Sequence, residues 1–513
     1  MFQILRHRLF YEFNFYIMKK IIPITLLFLS YFSAKAQQVS DALRYAQDDL
    51  NGSARYRAMS GAFGALGGEL SAINVNPAGS SIFSNNYASV TLSNYNQKNK
   101  SNYFGNQTSA NDASFDMNQL GTVWVFDNYN PDSKWSKFAL AINYDNANNY
   151  NNSIYSQGYN PNNSVANYFT SYANGIPEST LTGNLYEALT YNEQQAYLGY
   201  NAYLINPSAE NQYTSAINPN GNYYQENSIE SRGYNGKIAF NISTEYDKRF
   251  YFGLNLNAHF TDLKTTTSFY EDYLDSPGND PATGVQASRF TNELYTYGSG
   301  FSFQLGAIAK VTNEFRVGLT FESPTWYNLN DEFKQTLAVN CPDCGTNSDN
   351  FYADPNLVIY YPTYKLQTPS KYTGSLAYIY GKSGLISLDY SLKDYSSTKF
   401  RPTNEFQQTN TAINNTLDVS NEIRIGGEYR IKQWSLRGGY RFEESPYKNN
   451  STIGNLNSFS GGFGYNFGDI KLDIAYTYAK RENNQGFFSQ GLTDTANIKN
   501  IQNNVTLTLG FEL

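Results

Sequence analysis

Several charged side chains are spaced so that they could bind a carboxylate. Along 421–431, Glu422, Arg424, Glu428 and Arg430 alternate with Ile423, Ile425, Tyr429 and Ile431. Along 434–444, Arg437, Arg441 and Glu443 alternate with Trp434, Leu436, Tyr440 and Phe442. With Lys432-Gln433 as a two-residue turn, Glu428 falls opposite Arg437 and Arg424 opposite Arg441. The second pairing sets two guanidiniums together, which could take a carboxylate head group through charge-assisted hydrogen bonds. The plainer expectation is a structural salt-bridge network with Glu422, Glu443, Asp48, Asp49 and Glu69. Other chemistry is thinly represented. Cys341 and Cys344, in Cys-Pro-Asp-Cys, suit a local disulfide in an oxidising compartment, with two free thiols as the other possibility. No further zinc ligands stand nearby, so no metal is expected. His259 has neither a nucleophile nor an orienting group at a triad spacing. Its alternation with Asn255, Asn257 and Thr261 suggests a satisfied inward-facing residue. Glu271, Asp272, Asp275 and Asp280 fit no EF-hand and could hold calcium only loosely. No enzymatic activity and no cofactor are expected.

These side chains need rigid elements, and the alternation itself supplies them. Val505, Leu507, Leu509, Phe511 and Leu513 share one face of the last segment, while Thr506, Thr508, Gly510 and Glu512 share the other. Similar segments lie near 86–96, 117–127, 136–146, 236–247, 250–262, 298–310 and 314–323. Others follow near 372–381, 384–395, 421–431, 434–444, 457–467, 470–480 and 502–513. They make an even set of fourteen. Connections after even-numbered segments are a few residues and those after odd-numbered ones are long, the asymmetry of an outer-membrane barrel with short periplasmic turns. The fold class is therefore all-β, a 14-stranded antiparallel transmembrane β-barrel. The longest connection, 147–235, is rich in Asn, Tyr, Ser and Gly and is expected to be flexible or loosely packed.

Composition agrees. Hydrophobic residues make up only 40% and charged residues 16%, while 46 Tyr and 34 Phe raise the aromatic share to 16%. That is too polar for membrane helices, and it suits strands of which only alternate residues touch lipid. From Met18 the chain reads as a secretory signal: Lys19, Lys20, an apolar run from Ile21 to Phe32, then Ala34 and Ala36 at a small-residue cleavage site. Residues 1–36 are expected to be an upstream extension plus signal, with Met18 the true start and cleavage after Ala36. That cleavage removes Arg6, Arg8, Lys19, Lys20 and Lys35 against Glu12, so the mature chain is more acidic than the formal −7 of the whole. Nucleic acid is not an expected partner.

Residues 37–85 do not alternate. Gly61, Gly64, Gly67 and Gly68 make a close-packing segment, matching no nucleotide-binding loop, and Asn76-Pro77-Ala78 is a turn former. The run AMSGAFGALGGELSAINVNPAG ahead of fourteen strands, with TPSKYTGSLAYIYGKSGLISLDYSLKDYSS further on, resembles the long-chain fatty acid transporter (FadL-type) family of outer-membrane proteins. The resemblance implies that 37–85 forms a hatch inside a barrel of residues 86–513. It implies passive uptake of hydrophobic small molecules such as long-chain fatty acids, leaving sideways through the wall, in the outer membrane of a Gram-negative bacterium amid lipid and lipopolysaccharide. Related barrels bind an exported protein domain during secretion, and the same motifs fit that alternative.

Overall fold

The computed structural model describes residues 38–344 and 350–513; the expected signal segment lies outside them. Among the described residues fourteen antiparallel strands form a closed wall. They are β1 Tyr87–Tyr103, β2 Asn106–Asp127, β3 Trp135–Asn149, β4 Tyr223–Tyr246 and β5 Phe250–Asp272. Next come β6 Ala287–Lys310, β7 Phe315–Glu322, β8 Lys371–Tyr380, β9 Gly384–Asp394 and β10 Val419–Ile431. The last are β11 Trp434–Glu443, β12 Leu456–Asn466, β13 Ile470–Gly486 and β14 Thr495–Glu512. Each strand pairs with its sequence neighbours, and β1 closes the ring by pairing with β14, Tyr87 opposite Glu512.

Closure explains how a wall with so few hydrophobics is stable in lipid, because no backbone edge is left at the ring's two ends. Leu120, Trp124, Phe240, Leu256, Leu305, Leu388, Leu436 and Phe463 point outward and are exposed to the surroundings. Their alternating neighbours Gln119, Asn241, Asn255, Gln304 and Asp389 point inward and are buried. The usual polarity of a soluble domain is inverted, as lipid requires.

Two expectations change above the membrane. The connection after the first strand is not a long loop. β1 and β2, 17 and 22 residues long, run on outward and meet in the tight turn Phe104-Gly105, both at positive φ. Beyond the lipid both strand faces are polar, so the sequence loses its contrast although the ladder continues. Nor is 147–235 a loose loop. Asn152–Asn160 pairs with β4, and the chain then folds into a cap of helices α1 Ala166–Ala173, α2 Glu178–Gly183 and α3 Tyr191–Asn201 with the hairpin Ile205–Ala209 and Gln212–Ser215. Val165, Phe169, Ala196, Leu198 and Leu204 are wholly buried in its core, and Thr190 and Glu193 form a reciprocal cap at the start of α3. Tyrosine supplies much of the apolar area that a count of Asn and Ser hides.

Candidate functional site

The segment before the wall lies inside it. It comprises helices α4 Val39–Ala46 and α5 Ala54–Ala58, a turn of 3₁₀ helix at Ser71–Asn74 and another at Pro77–Ile82. Wall side chains grip its backbone from every side. Asn255 donates to the Ile73 carbonyl at 2.9 Å, Asn241 to that of Pro77 at 2.9 Å, and Gln304 to that of Asn74 at 2.9 Å. The buried Asp389 carboxylate accepts from the Phe63 and Gly64 amides at 3.0 and 3.1 Å, and Thr508 accepts from that of Ala54 at 2.7 Å. An irregular segment buried in a barrel must have its backbone polar groups satisfied, and inward-facing amides and carboxylates do this.

Asn76 joins hatch to wall. Its amide nitrogen donates to the Gly64 carbonyl at 2.7 Å and to the Ala307 carbonyl of β6 at 3.1 Å, while its oxygen accepts from the Ala78 amide. Pro77 follows at the first position of the 3₁₀ turn, where a missing N–H costs nothing. Gly61, Gly67 and Gly68 all have positive φ, and Gly67 lies against Gly79 so closely that a Cβ would come within 2.7 Å of its Cα. A Cβ on Gly64 would overlap the Ser375 hydroxyl of β8. The wall has matching glycines that sequence reasoning passed over. A Cβ on Gly253, Gly318, Gly426 or Gly439 would lie 2.2–2.5 Å from hatch backbone atoms. Every one sits inside an otherwise regular strand, the position that signals close backbone approach.

The structure pairs Arg424 with Arg441 and Glu428 with Arg437 across β10 and β11. The arginine pair is bridged. Glu422 accepts from Arg424 at 2.7 Å and from Arg441 at 2.6 Å, and it reaches Lys371 at 3.2 Å; Glu443 takes the other arm of Arg441 at 2.6 Å. Arg437 bonds Glu428 at 2.7 Å and also Asp473, and Glu428 accepts from hatch Arg55 at 2.9 Å. Asp48 meets Lys393 at 3.0 Å. Both guanidiniums of the pair are thus committed to carboxylates of the protein. Burial pushes the hatch Glu69 carboxyl above its usual range against the pull of Arg55, while the Ser53 hydroxyl donates to it at 2.6 Å.

His259 contacts the Ser302 hydroxyl at 2.9 Å and the Tyr327 hydroxyl at 3.4 Å, a satisfied lumen residue. Cys341 and Cys344 are joined in a disulfide with Cα atoms 5.4 Å apart, packed on the cap core. The acidic stretch is not gathered for a cation: Glu271 is turned inside and accepts from the Ser164 hydroxyl, the Val165 amide and the Gln225 amide, pinning the cap to β5.

Two spaces flank the hatch. Between the cap above and α4 below lies a cavity of about 670 Å³, lined by Tyr168, Tyr191, Phe333, Tyr361 and Phe488 among others. Below the hatch a second space of about 320 Å³ opens between Arg55, Phe83 and Lys432. At hatch level, among the described residues, lie two pockets of about 80 Å³ each, beneath the size that holds a drug-sized ligand. One of these abuts an irregular stretch of wall. The β2–β3 ladder stops at Gln119 opposite Asp145, although β2 runs on to Asn106 paired only with β1. Beyond it the seam is spanned by side chains, Asn149 donating to Asp116 at 2.6 Å and to Ser114 at 2.9 Å. Ser114 and Asn149 both line the adjoining pocket.

A closed fourteen-stranded wall with its N-terminal segment seated in the lumen can be compared with known proteins. The model of one family, described as outer membrane protein transport protein (OMPP1/FadL/TodX), matches residues 32–508. The chain belongs to that family. It is a family of outer-membrane transport proteins of Gram-negative bacteria, not of enzymes. Among solved structures the chain is similar to a Pseudomonas aeruginosa FadL homologue, with 13% identity, TM-score 0.51, and coverage of 91% of this chain and 99% of that one. It is similar also to the P. putida toluene transporter TodX, with 15% identity, TM-score 0.51, and coverage of 91% and 99%. At such identity these likenesses speak for the fold. No curated protein sequence matches the chain.

Proposed function

We propose that this member of the family is a passive channel for hydrophobic small molecules, of the fatty-acid or aromatic-hydrocarbon kind. They enter the aromatic cavity under the cap, wait above the hatch, and leave sideways through the β2–β3 seam when the hatch shifts. The cavity carries the reading: about 670 Å³ with seven Tyr and Phe rings in its lining, opening outward of a lumen that the hatch fills. Lipopolysaccharide bars apolar solutes from the outer leaflet, and a water-filled pore offers them no gain. A ring-lined pocket gives about 0.8 kcal/mol per buried CH₂. The seam supports the exit, because the ladder stops there and a pocket lies behind Ser114 and Asn149.

The test is uptake of a fluorescent apolar probe into proteoliposomes, with and without a chemical cross-link between cysteines placed at Ser114 and Asn149. Cross-linking is expected to stop uptake and leave probe binding unchanged. Undiminished uptake would remove the seam from the route. A purified barrel that carries no apolar ligand in native mass spectrometry but holds a stoichiometric exported protein would replace transport by the secretion role.

A further inference from the structure

The cavity under the cap has a chemistry of its own. Arg44 is the one cation among the described residues that line it, and its guanidinium is held by Asp41 at 3.1 Å. Asp331 is the other charged residue there, buried, with the Thr296 hydroxyl donating to it at 2.6 Å. The lining therefore carries more negative than positive charge and presents no uncommitted cation. The tyrosines add none. Burial raises Tyr168 well above its ordinary range and pushes Tyr191 up to about 12, so both stay neutral at physiological pH. A carboxylate entering this space would lose water and meet a net negative wall, a combination that costs binding.

One side chain points to what the space does accept. Asn227, on β4 between Ser156 and Phe269, lines the cavity and is 1% exposed, yet neither its amide nitrogen nor its oxygen is hydrogen-bonded to any described residue. In the same lining, the Asn483 amide oxygen and the Tyr361 hydroxyl are buried and lack a described partner too. Buried amides are nearly always paired, and one in a cavity lining with both its donor and its acceptor unpaired points to an uncharged hydrogen-bonding guest that reaches it by shifting the side chains that cover it. Elsewhere in the lumen the Asn235 amide is satisfied internally, by Tyr327 at 3.1 Å.

We infer that the cavity under the cap selects uncharged amphiphiles, an apolar or aryl body carrying a hydroxyl, amide or carbonyl group that Asn227 engages, over ionised carboxylates of the same skeleton. This rests on the transport reading and narrows it, moving the ligand away from the free fatty acid. It also differs from a plain hydrocarbon pocket, which would leave Asn227 without a partner.

Three probes with one skeleton test it: 4-phenylbutanol, butylbenzene and 4-phenylbutyrate, titrated calorimetrically into the full barrel in lipid nanodiscs near neutral pH, with empty nanodiscs subtracted. The alcohol should bind about tenfold more tightly than the hydrocarbon, the worth of one net hydrogen bond, and the carboxylate most weakly. N227L should bring the alcohol to the hydrocarbon's affinity, and N227S, which keeps a hydroxyl, should fall between. Carboxylate binding as tight as the alcohol's, or unchanged alcohol affinity in both variants, overturns the inference while the transport reading stands. If none of the three binds above empty nanodiscs, the transport reading falls and the inference with it.

Discussion

The lumen at hatch level and the cavity beneath the cap lie within one wall and are built on opposite terms. At hatch level the principal charged and amide groups that hold the segment are matched: Glu422 to three cations, Asp389 to two backbone amides, Asn76 to two carbonyls and an amide. Under the cap rings of tyrosine and phenylalanine share the lining with amides and hydroxyls, and Asn227 keeps both ends of its amide without a described partner. Matched charge holds a segment in one place, whereas unmatched polarity among rings leaves room for something else. The barrel confines its ionic chemistry to the closure and keeps the entry nearly free of it.

That contrast can be broken most sharply at Glu422. Glu422→Gln leaves Arg424, Arg441 and Lys371 around a neutral amide and should cost about 3–5 kcal/mol, read as a lower urea midpoint for unfolding from lipid vesicles. Removing the cations instead, as Arg424→Ala with Arg441→Ala, should lower stability also but leave ligand affinity unchanged. A loss of affinity there would erase the division between the two regions. Phe169→Ala, in the wholly buried cap core, should destabilise the cap by about 3–4 kcal/mol. Limited proteolysis should then cut within 161–222, with ligand binding lost and the wall intact. Asn76→Ala strands the Gly64 and Ala307 carbonyls and should loosen the hatch by about 2 kcal/mol, seen as more frequent openings in planar-bilayer recordings. The smallest effect is expected from Cys341→Ser with Cys344→Ser. Their loop is short, so the cap should lose about 1–2 kcal/mol, visible only as faster proteolysis near 341.

Much of the wall was legible because alternation has a period of two, so one tight turn sets every opposition along a hairpin. Lys432-Gln433 places Arg424 opposite Arg441 without any other information. The bridging of that pair was less legible. Glu422 lies two residues before Arg424 on the same strand and reaches both guanidiniums, a geometry that opposition across the hairpin does not display. The cap was missed because Asn and Tyr are as common in loops as in a tyrosine-packed core, and only the spaced Val165, Phe169, Leu198 and Leu204 betray the helices. Asn227 could not have been singled out by type, since the outer strands hold many asparagines; its distinction lies in lacking a partner after folding. The wall glycines were visible, and Gly253, Gly306 and Gly318 within apolar strands were the available signal for an occupied lumen.

The junction of β1 with β14 bears on the order of biogenesis. The backbone of Leu513 donates to Asn86, so the chain's last residue closes against the residue that precedes its first strand. Hatch contacts reach side chains from Ser93 on β1 to Thr508 on β14, with Asp389 and Ser460 between them. A segment held from the first strand and the last cannot complete its seat until the end of the polypeptide arrives. The hatch therefore finds its full set of contacts only in the completed ring, where the first strand and the last stand side by side.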